Sequence, residues 1–402
     1  MLYKRMFDFE KIFSTKENIS RLEWMDYDSR IFKIPIIFKR AVDMMFEYHT
    51  LTYSDFGGIE RFRKLILSYE KRQSGLKKGH NPFVFVGSGV SSLIWPVLKS
   101  VFDLDKKKKK NVLLFFPDYP LFHSVVESLG GNPIIIKSSR NNDFLPTISQ
   151  LRRAVKKGIS AVIFSNPNNP TGRCLPESFI REIVELSKEH DFFILSDEIY
   201  GESLFDNKKM INIAKINNSY ERYVKFFGLS KDRPGMTGLR CGYCIGDERL
   251  AHYIENVQIV RNLSNGIISE YLFLLDIALR YKNKWKYTHP DLKYYTKDEI
   301  NEYFQTIKNN LKLQKKYTDE IISSLNNNNH VRDLIVPDGG NSVFFRYYKK
   351  LAGIDLVKEF LNKGIAIYPG EVFGLTAQKN GSWTRVCITR DVEFLKKIIK
   401  KI

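Results

Sequence analysis

Residues 160–200 read SAVIFSNPNNPTGRCLPESFIREIVELSKEHDFFILSDEIY. One apolar run closes on a turn rich in asparagine and proline, a helix-length stretch follows, and a second apolar run closes on Ser-Asp-Glu. The same alternation extends both ways, through PFVFVG, VLLFFP and NPIIIK upstream and YVKFFGLS and RCGYCIG downstream. Short strands bounded by turn residues and separated by ordinary helices predict an α/β fold, with a mostly parallel central sheet flanked by helices.

Outside this block the pattern changes. Apolar spacing through Ile36, Ile37, Val42, Met45 and Phe46 has a helical period, and after the Gly57-Gly58 break a second helix carries Phe62, Leu65, Ile66 and Tyr69 on one face. Beyond Ile300 come long helical patterns (Tyr303–Leu325), then VFFRYY, a helix from about Ile354 to Lys363 and short strands near Ile365 and Val386. The expected division is a large domain over 46–300 and a smaller α+β domain made of 1–45 and 301–402. Residues 1–20, mixed and charged, read as an arm or irregular lead-in, and the polar, aromatic tract Tyr281–Lys297 as an insertion or linker.

Composition narrows the function classes. The 402 residues are 43% apolar and 13% aromatic, enough for a well-buried core. No apolar stretch approaches the roughly 18 residues of a membrane span, and no signal-like N-terminus stands out, so a soluble, cytoplasmic protein is expected. Four scattered cysteines fit a reducing compartment. Cys241 and Cys244 form a CxxC, but positions three apart on a strand face opposite sides, so no metal site is expected. The formal charge of +19 raises the possibility of nucleic acid. Its lysines and arginines are spread along the chain, however, and the one dense run, Lys106–Lys110, reads as a solvated helix-to-strand loop, so no nucleic-acid partner is expected.

In such a sheet, ligands sit at the carboxyl ends of the strands. There the sequence places Gly89 before a helix opened by Ser91 and Ser92, an anion cradle; Tyr119 and Phe122; Asn169 in the NPNNPTG turn; Asp197 and Tyr200 in SDEIY; and Lys231 and Arg240 in LSKDRPGMTGLR. An anion cradle, a stacking ring, an amide, a carboxylate, a phenol, a lysine and an arginine together suit a planar, phosphorylated, hydroxylated aromatic aldehyde. Lys231 condenses with the aldehyde as a Schiff base, and the carboxylate keeps the ring nitrogen protonated.

From Tyr53 to Arg385 the chain resembles the class I/II aminotransferases among the fold-type-I pyridoxal-phosphate enzymes. The resemblance rests on NPNNPTG, SDEIY and SK…GLRCGY in that order. It implies pyridoxal 5'-phosphate as cofactor and an amino acid and a 2-oxo acid as substrates. Lys231 becomes the Schiff-base lysine, Asp197 the partner of the ring nitrogen, Asn169 and Tyr200 those of the ring hydroxyl, and Tyr119 the stacking ring. Val90 and Ser91 after Gly89, with Ser230 and Arg240, become the phosphate contacts. YSDFGGIERFR is similar to the family segment whose tyrosine reaches the neighbouring subunit's phosphate, so Tyr53 implies a homodimer with shared sites. SWTRVCIT is similar to the strand whose arginine, Arg385, holds the substrate α-carboxylate. YPGEVFG, Tyr368–Gly374, is expected on the substrate side, with Tyr368 and Phe373 as contacts.

Three departures bear on substrate and reaction. Arg240 lies one residue further from the lysine than in many relatives, Gly228 stands where a hydroxyl residue is frequent, and RLEWMDYDSR (Arg21–Arg30) occupies the place of a glycine-rich substrate loop. The same lysine, aspartate and arginine would also serve β-elimination of the C–S lyase type, or an amino-acid cyclase or oxidase.

Overall fold

The computed structural model describes residues 2–48, 51–76, 81–106, 109–233, 235–261, 263–281, 292–348, 351, 353–376 and 381–402. Most of the Tyr281–Lys297 tract, and Lys107 and Lys108 of the lysine run, lie outside the described residues.

Chain order begins with a two-residue strand, β1 (Ser20–Arg21), followed by seven that form the main sheet. These are β2 (Phe83–Gly87), β3 (Asn111–Phe116), β4 (Asn132–Lys137), β5 (Ala161–Ser165), β6 (Phe193–Asp197), β7 (Tyr223–Gly228) and β8 (Gly242–Gly246). Their spatial order is β2-β8-β7-β6-β5-β3-β4. β8 pairs antiparallel with both β7 and β2, and the other pairs are parallel, so the sheet is mostly parallel as the alternation predicted. β5 and β6 are buried at every position because helices cover both faces. Alternation sends Val162, Phe164 and Ile194 into one core and Ile163, Phe193 and Leu195 into the other. Cys241 and Cys244 likewise fall in opposite cores. Among the described residues no group of three or more His, Cys, Asp or Glu is placed to hold a metal, and no helix is long and apolar enough to cross a membrane.

The second sheet is antiparallel, in the order β12 (Tyr368–Pro369), β13 (Ser382–Cys387), β10 (Ser342–Tyr347) and β9 (Val331–Ile335). β1 pairs in parallel with β11 (Ile365–Ala366) as a separate two-stranded sheet, and Leu22 C=O accepts from Cys387 N–H of β13 at 3.0 Å, which ties the N-terminal segment to the small sheet. The helix Lys297–Asn326 starts on a Thr296–Glu299 capping box and joins the two halves. Its Ile300 and Tyr303 enter a core of the main sheet, while Tyr317, Ile321 and Leu325 enter that of the small one.

The first residues depart from expectation. Leu2–Phe13 is a helix, not an irregular arm. Met6, Phe9 and Phe13 lie at helical spacing among the charges, and Phe9 and Phe13 are buried with Tyr368, Phe373 and Trp383.

Candidate active site

The carboxyl ends of β3, β5, β6 and β7 open into one cavity of about 350 Å³. It gathers Val90, Ser91, Tyr119, Asn169, Asp197, Tyr200, Ser230, Lys231, Arg240 and Arg385, residues spread over some 300 positions of sequence. Gly89 sits at its edge as the residue capping the helix Val90–Leu104, at φ +80°, and a Cβ built there would lie 2.6 Å from Arg240 Nη2. Glycine therefore lets the guanidinium close over the helix N-terminus, where the free N–H groups already favour an anion. Tyr53 is elsewhere. It is 85% exposed and lines a surface hollow with Phe56, Arg63 and Leu263.

Asp197 ends β6 and is buried, with one hydrogen bond from Ile199 N–H at 3.2 Å. Burial raises its pKa to about 7, reinforced by Glu198 and opposed by Lys231. Among the described residues no cation bonds this carboxylate. Lys231 Nζ donates to the Met25 carbonyl at 2.9 Å. Exclusion of water holds its pKa down to about 8, helped by Arg385 and Arg240 against the opposing pull of Cys387 and Asp26. Across the cavity Arg385, carried on β13, is buried; its Nη1 donates to Asn169 Oδ1 at 2.8 Å, its Nη2 donates to the Glu23 carbonyl, and among the described residues its Nε has no hydrogen-bond partner.

The aromatic wall is held by a residue to which the sequence assigned no role. Asp118 is buried, accepts from Tyr119 N–H at 2.7 Å and Ser165 N–H at 3.1 Å, and also binds the Ser165 hydroxyl. That hydroxyl accepts from Asn169 N–H at 3.0 Å, so one carboxyl orients both the ring and the amide. The signal was the PDYP tract, where an acid ends an apolar strand.

Behind Lys231 the turn is anchored by the two residues that follow it. Asp232 accepts from Ser203 Oγ at 2.5 Å and from Glu202 N–H at 3.3 Å, and Arg233, 4% exposed, donates to Asp276 at 2.7 Å and Glu202 at 3.3 Å. Both side chains therefore turn away from the cavity into a buried charge network. A Cβ on Gly228 would lie 2.9 Å from the Cys241 carbonyl and 3.3 Å from Val90 Cγ2, so the close β7–β8 approach leaves no room for a side chain.

The segment Glu23–Asp26 was legible only as a missing glycine-rich loop. It forms one wall, with Met25 buried against Tyr200, whose hydroxyl donates to Met25 Sδ at 2.6 Å. Trp24, half exposed, donates to Glu10 at 3.0 Å, and Met6 of the first helix also reaches the cavity.

These features define a fold-type-I α/β architecture with a cavity at the sheet's carboxyl edge lined by Lys231, Arg240 and Arg385. Solved structures agree on the fold. That of aspartate aminotransferase from Thermus thermophilus with maleate superposes with a TM-score of 0.81 at 18% identity, over 100% of this chain and 95% of that one. An aromatic aminotransferase from Pyrococcus horikoshii gives 0.80 at 20% identity, over 100% and 97%. The sequence pattern of the family described as aminotransferase class I and II matches residues 25–402, and the chain belongs to that family. Curated relatives include an alanine aminotransferase of Mycobacterium tuberculosis, 28% identical over 58% of this chain and 53% of the relative. An aspartate aminotransferase of Bacillus subtilis is 28% identical over 55% of each chain. The chain thus spans about half the length of the curated relatives it matches.

Proposed function

We propose that the protein moves an amino group from an amino acid to a 2-oxo acid, using pyridoxal 5'-phosphate held on Lys231. The observation that carries this reading is the one cavity in which a water-shielded lysine, a buried carboxylate and a buried arginine face one another. The residues fit the cofactor. The Gly89 cradle with Ser91, Ser230 and Arg240 suits its phosphate, Tyr119 its ring face, Asn169 and Tyr200 its hydroxyl, and Asp197 its ring nitrogen. When bound there, it supplies an aldehyde and an electron-withdrawing protonated ring.

The chain's own residues do the remainder. Arg385 holds the substrate α-carboxylate through a bidentate pair, which sets which bond to the α-carbon stands perpendicular to the ring. Lys231, with its pKa lowered to about 8, is closer to its neutral form near pH 7 than an ordinary lysine, which suits its amine to take the proton from the α-carbon and later return one. A cation beside Asp197 relieves the cost of ionising that buried carboxylate.

We further infer a homodimer. Tyr53, Phe56 and Leu263, which line one surface hollow, are exposed by 85%, 56% and 54%, an apolar concentration suited to a second copy, and Tyr53 would reach the partner's phosphate site.

Borohydride reduction of the cofactor-treated wild type should leave a phosphopyridoxyl group on Lys231, and Lys231→Ala should lose both that adduct and the absorbance of the lysine-bound aldehyde. Amino acids should then consume the aldehyde form and a 2-oxo acid restore it. A wild type with no adduct defeats the reading. Release of ammonia and pyruvate without loss of the aldehyde form would replace it with β-elimination.

A further inference from the structure

Arg385 rests on a bed of aromatic rings, and the last ring of the series comes from the other side of the molecule. Its Cζ lies over Phe373, 5.0 Å from the ring centre, and 6.0 Å from that of Tyr368. Phe373 meets Phe344 edge-on at 6.2 Å, and Phe344 stacks on Trp383 at 5.0 Å. Phe144 closes the series edge-on against both, 4.9 Å from Trp383 and 5.8 Å from Phe344. Phe344 is also the cross-strand partner of Arg385 between β10 and β13, and Trp383, two positions before Arg385, shares its strand face.

Every ring but one belongs to the small sheet or to the Tyr368–Gly374 tract beside it. Phe144 arrives from the turn that follows β4 of the main sheet, and it is buried among Phe344, Phe373 and Trp383. The backbone is strained to put it there. Phe144 has φ +59° and its neighbour Asp143 φ +48°, a left-handed conformation that a bulky residue rarely adopts and that persists only where other contacts fix it. Phe144 N–H donates to Ser139 C=O at 2.9 Å, and Arg140 Nε donates to both carboxylate oxygens of Asp333 on β9 at 2.9 Å. One turn of the main-sheet side is thus docked on the small sheet by a ring and by an ion pair.

We propose that Phe144 is a positioning residue for substrate recognition. Its ring, supported by the Arg140–Asp333 pair, holds the strands that carry Arg385 at the distance and angle from the main sheet at which the guanidinium meets a substrate α-carboxylate. The inference rests on the function proposed above, which gives Arg385 that contact. A bidentate pair tolerates little rotation of either plane, so a small shift of the aromatic bed is felt at the carboxylate. It is not felt at Lys231 or at the Gly89 cradle, which follow strands of the main sheet.

Spectroscopic titration of the cofactor-loaded protein with L-alanine and with ethylamine, which keeps the amine and lacks the carboxylate, isolates that contact. The wild type should bind alanine at least about tenfold more tightly than ethylamine, the scale of a bidentate charge-assisted pair. Phe144→Leu keeps an apolar side chain and loses the ring edges. It should narrow the preference by about threefold or more, with ethylamine affinity and the absorbance of the lysine-bound cofactor unchanged. Arg140→Met should narrow it in the same direction, and this half-buried position keeps the test decisive if Phe144→Leu folds poorly. In an Arg385→Lys background neither substitution should narrow the preference further, because the contact through which both act is already altered. An unchanged preference, equal weakening of both ligands, or further narrowing in the Arg385→Lys background would overturn the inference and leave the amino-transfer reading intact. A wild type that takes up no cofactor, or that binds alanine no better than ethylamine, would overturn the reading of the site and the inference with it.

Discussion

The turn that carries Lys231 and the segment Glu23–Asp26 face each other across one cavity, yet they are held in opposite ways. The turn is pinned from behind. Arg233 reaches Asp276, Glu202 and the Asp232 carbonyl, Tyr303 donates to Asp276 at 2.7 Å, Tyr69 donates to Glu202 at 2.9 Å, and Arg280 pairs with both acids. The segment's side chains are anchored outward, Glu23 by Arg21 and Trp24 on Glu10, while toward the cavity it offers carbonyls and a thioether: Glu23 C=O accepts from Arg385, Met25 C=O from Lys231, Asp26 C=O from Arg390, and Met25 Sδ from Tyr200. A site that must place a reacting amine within a fraction of an ångström needs the first kind of support. A wall that accommodates incoming ligands needs contacts that exchange at little cost, and backbone carbonyls facing the cavity are of that kind.

The sharpest way to break this contrast is Arg233→Met. Removing one partner of a buried ion network strands Asp276 and Glu202 with one counter-ion fewer, which costs about 3–5 kcal/mol. Denaturant unfolding at pH 7 should show that loss, together with a changed absorbance titration of the Lys231-bound cofactor. A loss below about 1 kcal/mol would mean that the network does not hold the turn.

Much of this was readable from the chain, and the reason is local. NPNNPTG, SDEIY and the lysine turn each place chemistry immediately after an apolar run, so strand position alone brings Asn169, Asp197 and Lys231 to one sheet edge. Arg385 came from the resemblance instead, because only the pairing of β13 with β10 and β12 turns it toward the cavity. The charge network was not readable. Tyr69, Glu202, Asp276, Arg280 and Tyr303 come from separate elements, and no local pattern distinguishes a buried Arg–Asp pair from two surface charges. The first helix was obscured by its charged residues, although Met6, Phe9 and Phe13 already carried the helical spacing.

A second, smaller effect separates the two regions by pH. In the cofactor-free chain Asp197 has its pKa raised to about 7, above the roughly 4 of an unfolded aspartate. A carboxyl raised in the folded state contributes stability that is complete below about pH 4 and is lost as pH rises through 7. Asp197→Asn removes that loss, so at pH 8 the cofactor-free variant should be more stable than wild type, on the order of 2–4 kcal/mol, with little difference near pH 4. The same substitution should weaken cofactor binding, because the ring nitrogen loses its anion. Equal stability of the two chains at pH 8 would mean that the carboxylate finds a partner before the cofactor arrives.

The smallest effect tests the exchangeable wall. Asp26 is exposed and its side chain supports no element, so Asp26→Asn should change stability by no more than about 0.5 kcal/mol. Its charge nevertheless raises the pKa of Lys231, against the net lowering by burial and the two arginines. Taking that charge away should lower the Lys231 pKa further, so the pH at which cofactor attachment reaches half its maximal rate should move down, measured by the appearance of the lysine-bound absorbance. The direction is diagnostic because it runs opposite to that expected for Arg385→Met, which removes a lowering charge and should move the midpoint up. If both variants moved the midpoint the same way, the wall would be acting on Lys231 through structure and not through charge, and the division between a rigid turn and an adaptable wall would fail.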